Sequence, residues 1–304
     1  MTTQLISEAH LRKQVVSYYM VLILWPVYLF LLPPILVYGA GWVLLYLIFP
    51  GLYLFTWLAY LMHESWHKYV PMVNNHFFYH VFALMILSDP QLYFMTHGSH
   101  HGQVHTDQDA EFHPLGEIKS RWVRVIYNWL EVIFGVAFLV GVASLTLPRD
   151  ARYAQKYRLW KLLVALGVWV VFLGGVGCLS HRVFGVVFSQ VLLAYVLCYW
   201  FGSFFLHQSQ LIEHGNLIVE GTFKQRNIYV RNLQPAGIIE KAFLFLTHND
   251  AREHVLHHTL TNVHSRPFPG VVDLPENAVL ITLEDYVRIL GRMLIGKVDH
   301  EIAP

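Results

Sequence analysis

Apolar and polar positions in this chain alternate on the scale of whole helices. The first long apolar run extends from Val15 to Tyr38, with Pro33 and Pro34 near its far end, where a break is tolerable. After a Gly39-Ala40-Gly41 turn, a second run continues from Trp42 to Met62, and its helix is expected to extend through His63-Glu64-Ser65-Trp66-His67-Lys68. Each run reaches the about 20 apolar residues that cross a hydrocarbon core. Together they predict a hairpin that returns to its starting side. A second hairpin is predicted from Leu162 to Leu179 and Val183 to Leu206, with Ser180-His181-Arg182 outside.

The shorter runs read differently. Phe77 to Leu87 is too short to span. Leu130 to Leu147 is nearly long enough, but basic residues flank it on both sides (Arg121 and Arg124; Arg149, Arg152, Lys156, Arg158 and Lys161). Positive-inside bias holds both flanks in the cytoplasm, so this run is expected to be interfacial or re-entrant. Leu283 to Ile295 reads as a short amphipathic helix lying on the bilayer. The N-terminal polar stretch, with Arg12 and Lys13, has no small-residue cleavage site after it, which favours a retained first span over a removable signal. The pattern predicts an all-α integral membrane protein with a single domain over 1–304. Its spans are expected at about 15–38, 42–62, 162–179 and 183–206, with a cytoplasmic cap from 63–161 and 207–304.

Composition agrees with that reading. Of 304 residues, 55% are hydrophobic and 13% charged, against about 25% charged in soluble domains. The formal net charge of +1 gives no reason to expect nucleic acid as a partner. Cys178 and Cys198 both lie inside apolar runs, so neither a disulfide framework nor a thiolate metal site is indicated.

The 19 histidines change the picture, because they cluster. From His97 to Glu111 the chain places four histidines and three carboxylates in fifteen residues. On a helix, positions i, i+3 and i+4 share a face, so His97, His100 and His101 converge. His63 and His67 form an i, i+4 pair, His254, His257 and His258 form a third box, and His214 stands in Glu213-His214-Gly215. All nine are expected at the cytoplasmic ends of membrane helices or just beyond. Two metals with four or five nitrogen ligands each would use them all. Imidazole suits iron, zinc and copper alike, but nine ligands crowd zinc, which prefers four. Redox iron with a position open to oxygen fits better. Glu64, Asp107, Asp109, Glu213 and Glu253 are candidates to orient ligand rings through the second ring nitrogen. His105 reads as a polar interfacial residue, with a place behind the ligands as the alternative. His207 reads as a helix-end residue. His76, His80, His113, His181, His248, His264 and His300 need no special role.

The HxxxH, HxxHH and HxxHH boxes on two hairpins resemble the membrane fatty acid desaturase and hydroxylase superfamily, over about Trp42 to Pro269. Glu213-His214-Gly215 is similar to the extra-ligand motif of alkane monooxygenases. In the desaturases an asparagine stands four residues before that histidine; here it is Gln210, an additional candidate ligand, direct or through water. The resemblance implies a diiron site, dioxygen as co-substrate, a lipid-like substrate between the helices and electrons from a separate carrier.

Two rival readings account for less of the sequence. His63-Glu64-Ser65-Trp66-His67 is an HExxH motif, and an intramembrane zinc protease would use Glu64 as general base. That leaves seven clustered histidines unexplained, and no aspartate lies within an apolar run to serve as a further ligand. A metal or haem transporter needs polar groups along a path through the bilayer, and these runs are nearly free of charge. Within the oxidase reading, desaturation and hydroxylation share hydrogen abstraction from an unactivated carbon. They diverge in whether a second hydrogen leaves or oxygen is inserted. The second-box spacing favours desaturation, and the Glu213-His214-Gly215 motif keeps hydroxylation of an acyl, alkane or terpenoid-type chain as the alternative. The chain has no dinucleotide fingerprint, iron–sulfur cysteine set or haem-attachment motif. Its electrons are therefore expected from a ferredoxin, rubredoxin or small cytochrome with its reductase, docking beside Arg226, Arg231, Lys241, Arg252 and Arg266.

Overall fold

The computed structural model describes residues 8–39, 41–70, 72–109, 111, 118–150, 152–259 and 274–302. In chain order the helices begin with α1 (Glu8–Tyr38), α2 (Trp42–Tyr46), α3 (Tyr53–His67), α4 (Asn75–Met85) and α5 (Pro90–Gln103). They continue with α6 (Arg121–Phe134), α7 (Val136–Thr146), α8 (Leu159–Phe184) and α9 (Phe188–His214). Beyond them lie β1 (Leu217–Glu220), α10 (Phe223–Ile228), β2 (Arg231–Leu233), α11 (Ile238–Leu246), α12 (His254–Thr259), β3 (Val279–Ile281), α13 (Leu283–Leu294) and β4 (Asp299–Ile302). Among the described residues, four helical stretches are long and apolar enough to cross a membrane: Arg12–Tyr38, Trp42–His67, Leu159–Phe184 and Phe188–His214. They agree with the predicted spans in number, and each runs past its predicted bounds at one end or both. The second continues to His67 and the fourth to His214, so these histidines ride on the spans themselves. The turn between the third and fourth spans falls at 185–187, not at Ser180-His181-Arg182. His181 and Arg182 form the last turn of α8, where His181 Nδ1 donates to the Val186 carbonyl (2.6 Å) and Gly185 (φ +71°) ends the helix.

The chain forms two compact units, Met1–Gln91 with Pro148–Ser203, and Leu92–Leu147 with Phe204–Pro304. In the first, α1 buries Tyr18, Trp25, Leu29 and Leu32, with the Tyr18 ring against Phe78 and Phe82 of α4 and the Trp25 ring against Phe55 of α3. The Trp25 indole N–H and the Tyr199 hydroxyl both donate to the Met85 carbonyl (3.2 and 2.8 Å), which fixes the end of α4. Gly202 lets α9 approach α3, since a Cβ there would lie 2.5 Å from the Phe55 ring. The second span is interrupted at Phe49-Pro50, where Phe49 takes an extended conformation. On α8 the large apolar side chains point outward, Val170 and Val171 being 73% and 74% exposed. That distribution suits lipid and not water.

The second unit packs Leu211 and Ile212 of α9 with Leu233, Leu244, Ile281, Ile289 and Met293. The run predicted as interfacial or re-entrant is not one helix. Gly135 (φ +57°, ψ −139°) separates α6 from α7, and neither piece alone is long enough to span. α6 caps the carboxyl end of α13: Arg121 Nε donates to Ile295 O (3.0 Å), Arg124 Nε to Gly296 O (3.0 Å) and Asn128 Nδ2 to Met293 O (2.6 Å). α13 itself starts on a capping box in which Thr282 and Asp285 exchange hydrogen bonds. Two short parallel strand pairs, unforeseen in the sequence, hold the ends of the unit. β1 pairs with β4 (Leu217 opposite Asp299), and β2 with β3 (Arg231 opposite Val279).

Candidate metal centre

The densest part of the site is built by α5 and the turn that follows it. Helical spacing points His97, His100 and His101 to one side, and the chain then doubles back through Thr106 to Glu111. Asp109 Oδ1 accepts from the Glu111 N–H (3.0 Å), and this local bond shapes the return. Asp109 Oδ2 thereby accepts from His100 Nδ1 (2.8 Å) and Glu111 Oε2 from His97 Nδ1 (2.9 Å). With the proton held on Nδ1, each ring turns its Nε2 lone pair inward, the arrangement that metal-ligating histidines favour.

α12 supplies the facing side chains. One of its first backbone donors is met by Asn232 Oδ1, which accepts from the Val255 N–H (3.1 Å). Asn227 Oδ1 accepts from His258 Nδ1 (2.9 Å), so this ring is oriented by an amide and not a carboxylate. His254 Nδ1 lies 3.7 Å from Asp250 Oδ1.

Two nitrogen clusters result within this unit. The ligand atoms of His97, His101 and His257 lie within 4.8 Å of one another, and so do those of His100, His214 and His258. His101 Nε2 is 3.2 Å from His97 Nε2 and 3.1 Å from His257 Nε2. His214 Nε2 is 2.9 Å from His254 Nε2, and Glu213 joins these two in a third group within 4.8 Å. Imidazole nitrogens facing one another at these distances need a proton or a metal between them. Burial and the neighbouring imidazoles hold His258 well below the usual histidine range, which disfavours a protonated ring at that one position. Burial pulls His100 down, but Asp109 and Glu111 together lift it, so its pKa is raised overall. Burial pushes Glu111 up to about 7. Four carboxylates, Asp109, Glu111, Glu213 and Asp250, face the imidazoles, and two divalent cations would balance them. The donor set fits metal on chemistry, burial and charge.

The remaining candidates are placed as follows. His63 and His67 sit one turn apart on α3 in the first unit, ring centroids 5.0 Å apart, with Tyr69 stacked on His67. Glu64, between them, is buried. Asp107 is exposed, and Glu253 lies 3.6 Å from Arg252. His105 is buried, with Nε2 3.4 Å from His214 Nδ1; burial and the nearby Arg231 lower its pKa to about 3. Gln210 Oε1 and Glu131 Oε1 flank the ring of the fully buried His207, each 3.1 Å from one of its nitrogens. His207 is therefore a paired interior group and not a helix end. His80 Nδ1 bonds its neighbour's carbonyl at His76, at an exposed position. His113, His264 and Arg266 lie outside the described residues. Sequence reading missed Asn227 and the orienting role of Glu111. It also missed Glu131, whose signal was present as a lone carboxylate in the apolar run after Leu130.

Comparisons with curated proteins and with solved structures return no match. The family model described as fatty acid desaturase matches residues 40–269, which include every histidine box and all but the first of the four long apolar helices. With that match over most of its length, the chain belongs to the fatty acid desaturase family.

Proposed function

We propose that this protein carries out the oxygen-dependent oxidation of an unactivated C–H bond in a fatty-acyl or similar lipid chain, with desaturation as the outcome. The observation that carries the proposal is the paired imidazole clusters, His97/His101/His257 and His100/His214/His258, with Asp109, Glu111 and Asn227 behind their rings. His63 and His67 join the ligand set on the strength of the box pattern, and His254 on its contact with His214. Two irons held there would supply the activation of dioxygen needed to remove hydrogen from a saturated carbon. The protein's own part is to aim the imidazoles, which at His97, His100 and His258 it does through the group bonded to the second ring nitrogen. The long apolar helices provide a water-poor surface that binds the hydrocarbon chain.

We place the site on the cytoplasmic side of the membrane, within one catalytic domain supplied with electrons by a separate carrier. Hydroxylation at the same site is the second reading, favoured by the Glu213-His214-Gly215 motif. The zinc protease reading is weaker, because it gives the histidines of the other boxes and the groups oriented behind their rings no role.

The test is metal analysis of detergent-purified protein together with mass spectrometry of lipids from expressing cells. The expected result is about two irons per chain, as in dimetal oxygen chemistry, and a product two mass units lighter than the substrate. A product sixteen units heavier would replace desaturation by hydroxylation. One zinc per chain, with activity restored by zinc alone, would overturn the proposal.

A further inference from the structure

We propose that Glu213 is itself a metal ligand, giving the group it forms with His214 and His254 a mixed nitrogen and oxygen donor set. The inference rests on the two-metal reading above and departs from an all-histidine site. Glu213 lies in the last turn of α9, one residue before His214, and is 1% exposed. The side of the imidazole that it faces distinguishes it from the other acids. Asp109 and Glu111 approach Nδ1, the nitrogen turned away from the cluster. Glu213 Oε2 lies 3.5 Å from Nε2 of His254, the same nitrogen that meets His214 Nε2 at 2.9 Å. On the other side of the ring, the acid that faces His254 Nδ1 is Asp250, whose Oδ1 lies 3.7 Å away.

The other carboxylate oxygen shows how the group is held. Glu213 Oε1 accepts from the Ser209 hydroxyl one turn earlier (3.2 Å), which leaves Oε2 directed at the ring nitrogens. Among the described residues no lysine or arginine is paired with this carboxylate, and His254 is its one ion-pair partner. A buried carboxylate without a compensating cation is costly. A divalent metal between Glu213, His214 and His254 would remove that cost and resolve the close approach of the two imidazoles together. An anionic oxygen donor makes this position harder than its neighbour, so the two metals would be inequivalent.

The experiment is Mössbauer spectroscopy of the full chain in detergent, loaded with ferrous iron-57, alongside an iron titration. Wild type is expected to give two distinct ferrous doublets. Glu213→Gln should shift one doublet and leave the other in place. It should also weaken binding of the second iron by more than about 100-fold, beyond the 10–100-fold typical of groups that only orient a ligand. Ser209→Ala, which removes only the tether on Oε1, should keep both doublets. A Glu213→Gln protein with two irons and unshifted doublets would overturn the inference while leaving the two-iron reading intact. Wild type that takes up fewer than two irons would overturn both. Should the glutamine variant not fold, Glu213→Asp keeps the charge but withdraws it by one methylene. The same doublet should then move, and its staying unchanged would equally overturn the inference.

Discussion

At the residue scale, what distinguishes this cluster from a chance gathering of histidines is the group behind each ring. Asp109, Glu111 and Asn227 each accept a hydrogen bond from Nδ1 of a different imidazole, at 2.8 to 2.9 Å. Asp109→Asn preserves volume and removes the charge that lifts His100. It is expected to lower iron affinity about 10–100-fold with the fold retained, measured by iron titration beside circular dichroism. Unchanged affinity would show that Asp109 is dispensable. His76→Ala, by contrast, removes an exposed ring and should leave iron content and turnover at the wild-type level. The reach of sequence reasoning follows the same geometry. The imidazoles of α5 were legible because helical periodicity brings them together, and Asp109 because it lies nine residues from His100. Asn227 and Glu131 were not, since their partners His258 and His207 lie 31 and 76 residues away and meet them only through tertiary packing.

At the scale of elements, the four long helices were readable because an apolar run of that length has few other fates. Their ends were less so, because polar residues such as His63 and Gln210 can continue a helix whose backbone bonds remain intact. Strands of three or four residues carry too little alternation to be seen at all. The break between α6 and α7 is the instructive case. The apolar run from Leu130 to Leu147 passes through Gly135 without a change in hydropathy, yet Gly135 adopts φ +57° and ψ −139°. That conformation is open essentially only to glycine. Gly135→Ala should therefore cost about 1–3 kcal/mol of stability, seen as a lower unfolding midpoint in detergent. The metal should still bind, because no ligand lies on either helix. An unchanged midpoint would mean that the two helices can fuse without strain.

At the scale of the whole molecule, the chemistry proposed here requires two electrons from outside for each dioxygen used, and the chain carries no motif for a redox group of its own beyond the histidine boxes. A small acidic carrier would need exposed cations to dock on, and the structure sorts the basic residues named from sequence. Arg231 is buried and donates to the Gly215 carbonyl (2.8 Å), and burial lowers its pKa to about 10. It holds the segment just after His214 and offers nothing to a partner. Arg226 is half-buried and donates to the Val104 carbonyl (3.1 Å), immediately before His105, so reversing its charge would disturb the site itself. Lys241 is exposed, and Arg252 remains 39% exposed beside Glu253. These two are the informative positions. Reversing both to glutamate should slow carrier-supported turnover and flatten its dependence on ionic strength, since exposed charges act mainly on encounter and are screened by salt. Iron content should stay at the wild-type level, which separates docking from assembly of the site. The same protein supplied with NADH or NADPH alone should not turn over repeatedly. Multiple turnovers without a carrier would remove the need for any docking surface.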